Sequence, residues 1–394
     1  MPEYPIDNVR SFVYRNPLTL PRIRFSDIIS NSAEGAYVEQ PEENRVSRLT
    51  PPLYHDDPDR AMVFPPFEER EVISPPAFTI SLRNVKLTGF RTILSAEGFF
   101  TNDLGHASEE REKGFENGLR HAEELTGLKF DESENAFRSD TNGQVTTHLE
   151  GPVVVLTSAE AGNYGSFVFR ELVKLVNLYG IPPAWRFLLH ISIDTFSQFL
   201  TMAGVPADRI IRHEPRQTYY IDQAIVPCIR NPFTFIDHTT ADFYKRLRLL
   251  CDGGTGRRRI YVARSSINST KKTGRVMLNE PDLIRQLQSL DFYIVEPEFL
   301  TAAQQVATFA DADLVVGPSG SGMFNTAFCR PGTKVIDIES EPHWVFQLSC
   351  LFASSGLPYG IFEGLAVNQD WSTHHKPFHV NIDALVQRIR HLID

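Results

Sequence analysis

The stretch from Asp313 to Ile338 constrains this chain more than any other. It opens on the apolar run Leu314, Val315 and Val316, passes through Gly317, Ser319, Gly320, Ser321, Gly322 and Asn325, and ends on Val335, Ile336 and Ile338. Short unbroken apolar runs mark strands buried on both faces of a parallel sheet, so the stretch reads as strand, turn, helix, strand. Gly317, Gly320 and Gly322 permit a tight turn and the close approach of a ligand. Ser319 and Ser321 are natural caps, so the helix after the turn is expected to aim its first N–H groups and positive dipole end into the turn's mouth. Such a turn binds anions, phosphate above all. A plain glycine turn with no ligand has the same appearance in isolation, because the spacing is not the dinucleotide fingerprint.

The preceding segment points the same way. Arg258 to Arg264 is an apolar strand ending in an arginine, followed by a polar loop that holds Lys271 and Lys272 and then Arg275. An arginine at the carboxyl end of a parallel strand lies where open α/β sheets bind ligands, and its planar fork suits phosphate oxygens. Arg264, Arg275, Ser319, Gly320, Ser321 and Gly322 are therefore the candidate diphosphate contacts. Asn279 is placed to cap a helix, with Pro281 in its first turn and Asp282 favouring the dipole.

Composition narrows the partners. A chain of 394 residues has room for two full cores, and its net charge of −10 excludes a nucleic-acid surface as the main function. Cys228, Cys251, Cys329 and Cys350 show no paired spacing, so neither a zinc site nor a disulfide framework is expected. No stretch is long and apolar enough to span a bilayer, and the residues from Met1 to Asp7 lack the basic start and apolar centre of a signal peptide, which makes the cytoplasm the expected compartment.

Residues 1 to 80 hold 12 of the 26 prolines and cannot form long helices, so an extended arm is expected there. From Phe78 to Asp103 short alternating runs predict a small antiparallel β unit. Residues 106–150 read as charged and polar, with one helix around Glu109 to Glu124 and with His106, His121 and His148 on the surface. At Gly151 an α/β rhythm begins: a strand at Val153 to Leu156, a helix from Phe167 to Leu178, a strand at Phe187 to Ile193, a helix from Thr195, and a strand near Ile210. The rhythm repeats from Ala241 to Ile338, and a last helix carries Ile382, Leu385, Val386, Ile389 and Leu392 on one face. Alternating strands and helices predict parallel, doubly wound sheets. The expected division is an arm and β unit over 1–150, a first Rossmann-like domain over 151–235 and a second over 236–394.

The ordered set Tyr261 to Arg264, Arg275, Asn279 with Glu280, Glu296 to Glu298, Gln305 with Phe309, and Gly317 to Asn325 resembles glycosyltransferase family 61, a group of nucleotide-sugar-dependent transferases. Asn163 and Tyr164 resemble the start of another segment of that family. Ser166 and Ser319 stand where the family usually carries histidine. The resemblance implies two facing Rossmann-like domains of GT-B type. The first would lie on the acceptor side and the second on the donor side, with the last helix crossing back onto the first domain. It further implies a nucleotide-sugar co-substrate, of UDP-sugar type, a glycan or glycolipid acceptor, no metal or other cofactor, and work in the cytoplasm at the inner membrane. Asn163, Tyr164, Ser166, Glu298, Gln305 and Asn325 would line the cleft.

Sugar transfer requires a base for the acceptor hydroxyl and positive charge for the departing diphosphate. The arginines and the turn meet the second need. For the first, Glu160 in the exit loop of the first strand is the leading candidate and Asp194 the second, although either carboxylate also fits an ordinary surface role. His190 sits inside an apolar strand and reads as core. The two serines in place of histidine support a rival reading, a sugar- or nucleotide-binding protein without transfer activity. A nicotinamide-dependent dehydrogenase is disfavoured, because no GxGxxG follows the first strand.

Overall fold

The structure, a computed structural model, describes residues 6, 9, 11–39, 46–49, 70–73, 76–102, 109–139, 145–178, 180–214, 216–231, 234–251, 254, 256, 258–266, 274–340, 345–367 and 376–393. Lys271, Lys272, His106 and the paired prolines between 51 and 66 lie outside them. In chain order the first strands are β1 (Gly35–Val38), β2 (Val46–Leu49), β3 (Arg70–Ile73), β4 (Phe78–Thr88), β5 (Thr92–Ser95), β6 (Gly98–Thr101), β7 (Leu128–Asp131) and β8 (Ala136–Ser139). They are followed by β9 (Val145–Val155), β10 (Arg186–Leu189), β11 (Ile210–Arg212) and β12 (Gln217–Pro227). The last six are β13 (Arg259–Val262), β14 (Tyr293–Val295), β15 (Leu314–Pro318), β16 (Lys334–Glu339), β17 (Tyr359–Ala366) and β18 (Phe378–Val380).

The chain divides into unit 1, Met1–Arg45 with Ile73–Pro232, and unit 2, Val46–Val72 with Phe233–Asp394. Unit 1 holds a mixed sheet in the order β11-β10-β9-β12-β4-β5-β6, with β1 also pairing to β4. Strands β11, β10, β9 and β12 are parallel to one another, whereas β12 to β4 and the meander β4-β5-β6 are antiparallel.

The expectation of a separate β unit before residue 150 is therefore corrected. Phe78, Ile80, Val85, Leu87, Ile93 and Phe100 share one core with Val153, Val155, Leu188, Ile221 and Ala224. Burial on both faces keeps β4 inside the sheet rather than at the margin of a separate domain. The proposed boundary at Gly151 also falls within β9. Gly151 has φ +72°, its N–H donates to Asp222 Oδ2 at 3.0 Å, and the β9–β12 register shifts at this point. An isolated glycine in a strand pattern marks such a bulge as readily as a chain break. His148, expected on the surface, is half-buried and lies 2.7 Å from Asp222 Oδ1 through Nε2.

Unit 2 comes closer to the expected doubly wound form. Its sheet runs β14-β13-β15-β16-β17-β18, parallel except for the antiparallel last strand. Strands and helices appear where the apolar periodicity places them, among them Glu280–Gln288, Ala302–Ala310 and Ile382–Ile393. Asn279 precedes the first of these helices without making a side-chain cap bond. Its amide instead donates to Val380 O at 2.7 Å and accepts from Val380 N–H at 3.1 Å, holding β18 in place.

The last helix does not behave as the resemblance implied. Leu385 and Ile389 share the core of unit 2 with Leu283, Leu287, Ile336 and Phe378, so this apolar face is satisfied within its own unit. None of the four cysteines is in a disulfide. Among the described residues, no helix is long and apolar enough to cross a membrane, and no cluster of His, Cys, Asp or Glu could hold a metal ion.

Ile389 is fully buried. Its replacement by alanine should cost about 2–5 kcal/mol of stability, the range for deleting a buried branched side chain. Urea unfolding of the full chain measures it, and a loss below about 1 kcal/mol would show that this helix is not seated in the core.

Candidate active site

Counted from β13, the parallel strands of unit 2 follow the order 2-1-3-4-5, which reverses between β13 and β15. Ligands of open α/β sheets bind outside the carboxyl ends of the strands at such a reversal. Arg264 leaves β13 there, and Ser319 leaves β15. The Arg264 Nη1 donates to Ser319 O at 3.1 Å, and its backbone N–H donates to Glu280 Oε1 at 2.9 Å. Gly320 has φ +149°, and a Cβ on it would meet Arg264 Nη1 at 1.9 Å. The guanidinium thus occupies the volume that a side chain at 320 would need.

Burial, and after it the neighbouring Arg275 charge, depresses the Arg264 guanidinium below its ordinary value, while Glu280, Glu339 and Glu298 oppose the shift. Among the described residues Arg264 makes no ion pair, and its buried Nε has no hydrogen-bond partner. A buried N–H donor without an acceptor carries a desolvation cost that a bound anion would offset.

Glu280 holds this edge together. One carboxylate oxygen accepts from the Tyr261 hydroxyl at 3.1 Å as well as from Arg264 N–H, and the other accepts from Ser265 Oγ at 2.9 Å. Burial, and then the Glu280 charge, pushes the Tyr261 hydroxyl well above its usual range. Arg275 is engaged differently: it forms a buried ion pair with Glu339, so its charge is already matched by a carboxylate. Beside that pair, burial and then the Glu339 charge hold the Asp337 carboxyl well above the usual carboxylate range, against the opposing Arg275 charge.

The remaining residues divide by exposure. Glu298 is exposed and accepts from the Ser266 hydroxyl. Gln305 is buried and donates to Pro297 O at 2.9 Å and Leu300 O at 3.1 Å, fixing the turn that carries Glu298. Asn325 is buried and its amide donates to Gly322 O at 3.1 Å. The expected serine caps are absent: Ser321–Phe328 is a 3₁₀ helix whose N-cap is Gly320, with no side-chain cap bond. Ser319 contributes its carbonyl instead. Nor do all three glycines leave room for a ligand, since a Cβ at Gly317 or Gly322 would press on Val262 at 2.9 and 3.0 Å. Those two serve the packing of the turn against β13.

In unit 1 the parallel strands follow the order 3-2-1-4 counted from β9, reversing between β9 and β12. The chain leaves β9 through Leu156, Thr157 and Ser158. Asn163 then caps the helix, its Oδ1 accepting from Ser166 N–H at 3.2 Å. The Tyr164 ring lies 6.4 Å from Phe196 and from Phe199, and Phe167 stacks on Phe196 at 4.0 Å. Glu160 and Asp194 are both largely exposed, 3.4 Å from Arg170 and 3.7 Å from Arg212 respectively. Ser166 is buried, with its Oγ 3.1 Å from Ser158 Oγ.

Residues 149–336 match the Glycosyltransferase 61 family. The match supports a glycosyltransferase, and over that span the resemblance to family 61 read from the ordered segments holds. The matched span runs from β9 into β16 and so contains the strand-order reversals of both sheets. Comparison with curated proteins gives no match.

Sequence reasoning overlooked Glu171 and Lys174, both fully buried beside Ser158 and Ser166 in this family 61 segment. Burial pushes the Glu171 carboxyl up to about 7, against the opposing Lys174 charge and the Ser158 hydrogen bond. Glu171 and Lys174, set with Arg170 inside the otherwise apolar helical run Phe167 to Leu178, were the available signal, because a helix that is apolar nearly all round is buried.

Two stability measurements check this geometry. Gly320→Val should cost about 1–3 kcal/mol in urea unfolding, and adding Arg264→Ala should recover part of that by removing the clash. Strictly additive losses would show that the guanidinium does not fill the site. Arg275→Met should cost about 3–5 kcal/mol by removing the cation of a buried ion pair with Glu339, with Glu339→Gln restoring much of it.

Proposed function

We propose that this glycosyltransferase moves a hexose or pentose from a nucleotide-sugar donor of UDP type to a glycan or glycolipid acceptor, without a metal ion. In this reading the chain is of the GT-B class, unit 2 binds the donor diphosphate and unit 1 serves the acceptor. The observation that carries the donor assignment is Arg264, laid over Gly320 at the strand-order reversal with a buried, unpartnered Nε.

Transfer breaks the bond between the anomeric carbon and the diphosphate oxygen, which keeps the electron pair. The acceptor oxygen forms the new bond and gives up its proton. Negative charge therefore develops on the diphosphate, and a preorganised cation aimed at it lowers the barrier more than the same cation in water would. Arg264 is placed for that work, and the first N–H groups after Gly320 add a weaker attraction. Arg275 has a supporting role, since Glu339 already balances it: it adds to the field at Arg264 and holds the edge of β16. Gln305 and Asn325 keep the adjoining turns in shape, which leaves Glu298 as the exposed carboxylate for hydroxyl groups of the donor. Glu160 and Asp194 remain the surface candidates for the acceptor's proton.

A second reading, a binding protein of the same family without transfer, is favoured by Ser166 and Ser319 in place of the family's usual histidines. Release of UDP from a UDP-sugar separates the two.

A thermal-melt series with UDP, GDP, CMP, ADP and NAD tests the donor assignment. At about 100 times its dissociation constant a ligand stabilises by roughly 2.7 kcal/mol. UDP is expected to stabilise the wild-type chain and to have no effect on Arg264→Ala, which should unfold as cooperatively as wild type. An equal shift in both would remove the phosphate role of Arg264, and a response to NAD alone would overturn the donor class.

A further inference from the structure

The buried polar groups at the carboxyl end of β9 form a chain with a definite hydrogen-bond direction. Ser158 Oγ donates to Glu171 Oε1 at 2.9 Å and lies 3.1 Å from Ser166 Oγ. A hydroxyl has one proton. When Glu171 is ionised, Ser158 has spent its proton on the carboxylate, so Ser166 must donate to Ser158, and the Ser166 oxygen is left as an acceptor for a further O–H. When Glu171 is protonated the order can reverse, with Glu171 donating to Ser158, Ser158 to Ser166, and Ser166 outward.

The surroundings suit such a device. Glu171 is fully buried, and its second oxygen has no hydrogen-bond partner among the described residues. The helix that carries it is irregular: Tyr164–Ser166 is α, Phe167–Glu171 is π and Leu172–Asn177 is 3₁₀. Wide turns of this kind often place a functional side chain. Lys174 Nζ donates to Leu156 O at 3.0 Å and to Thr157 O at 2.5 Å, which fixes the segment leading into Ser158. All of this sits next to the reversal between β9 and β12, the ligand-binding edge of such a sheet.

We propose that Ser166, Ser158 and Glu171 are the proton relay for the acceptor hydroxyl, with Ser166 the group that meets the acceptor. The inference rests on the transferase reading above and supplies the base that reading left to Glu160 or Asp194. As the acceptor oxygen bonds to the anomeric carbon, its proton passes to Ser166 Oγ, the Ser166 proton to Ser158 Oγ, and the Ser158 proton to Glu171 Oε1. The diphosphate leaves with the electron pair of the broken bond. Glu171 later returns the proton to water by the reverse path. Ser158 and Glu171 act through Ser166 and do not touch the acceptor.

Glu171 titrates in a useful range. Burial raises it to about 7, while Lys174, Ser158 and then Arg170 favour its ionised form. Lys174 and Arg170 lie on its own helix; the exit of β9 presents Ser158, with Glu160 further along beside Arg170. A base works ionised, so turnover should rise with pH through an inflection near 7 and then level off.

The test uses the full chain with UDP-glucose, UDP-galactose, UDP-xylose and UDP-N-acetylglucosamine as donors, and water or octyl β-glucoside as acceptor. Release of UDP is followed against pH, and stabilisation by UDP is measured in parallel. Glu171→Gln and Ser166→Ala should each lower kcat by about 100-fold or more and abolish the inflection, leaving UDP stabilisation unchanged. Ser166→Thr, which keeps a hydroxyl, should retain most of the turnover. If Glu171→Gln does not fold, Ser166→Ala and Ser166→Thr carry the same comparison. Wild-type turnover and an intact inflection in folded Glu171→Gln would overturn the relay, as would a loss found in Glu160→Gln alone. UDP stabilisation of the wild-type chain without turnover of any of these donors would also overturn it, while leaving the donor site standing. Neither stabilisation nor turnover would remove the transferase reading and the relay together.

Discussion

The packing of Arg264 against a residue with no side chain organises the strand-order reversal of unit 2. A guanidinium can lie in that position only if Gly320 lacks a Cβ, and it stays there because its backbone is held by Glu280 and its Nη1 by Ser319. Glu280 in turn is held by Tyr261 and Ser265, so one buried carboxylate ties the end of β13 to the start of the next helix. A cation fixed in this way loses little freedom when an anion arrives, which is the physical meaning of preorganisation.

Charge around that arginine is balanced unevenly. Arg275 with Glu339 is a matched buried pair, and beside it burial and the Glu339 charge disfavour the ionised form of Asp337. The carboxylates of Glu280 and Glu298 moderate the field without pairing with the Arg264 side chain. Two arginines that look equivalent along the chain therefore differ in kind. One is paired with a buried carboxylate, and the other has its Nη1 on the Ser319 carbonyl and a buried Nε with no hydrogen-bond partner.

Much of this edge of unit 2 could be read from residue order alone. The apolar runs at Leu314 to Val316 and Val335 to Ile338 are strands, and Arg264 follows a strand, just beyond Val262. The role of each glycine could not be read that way, because what a missing Cβ makes room for is a neighbour far along the chain, Arg264 at Gly320 and Val262 at Gly317 and Gly322. The serine caps failed for a similar reason: Ser319 uses its carbonyl, which every residue type possesses. In unit 1 the antiparallel strands looked like a separate leader because local alternation carries no information about pairing partners. That β4 lies beside β12 is a long-range fact. Glu171 was overlooked because a single acidic residue in an apolar helix looks like an exposed position until the helix is known to be buried on all sides.

The bulge in β9 has a consequence for how one strand can serve two surroundings. Before Gly151 the strand carries Thr146, Thr147, His148 and Glu150, and after it Val153, Val154 and Val155, all three fully buried. In an unbroken strand the inward and outward sides alternate without interruption, and a polar half would impose its phase on the apolar half. One extra residue at the register shift resets that alternation, with Asp222 accepting the displaced N–H. The strand can thus begin in a partly wet environment and still deliver its last residues dry and in register to the edge where Ser158 emerges.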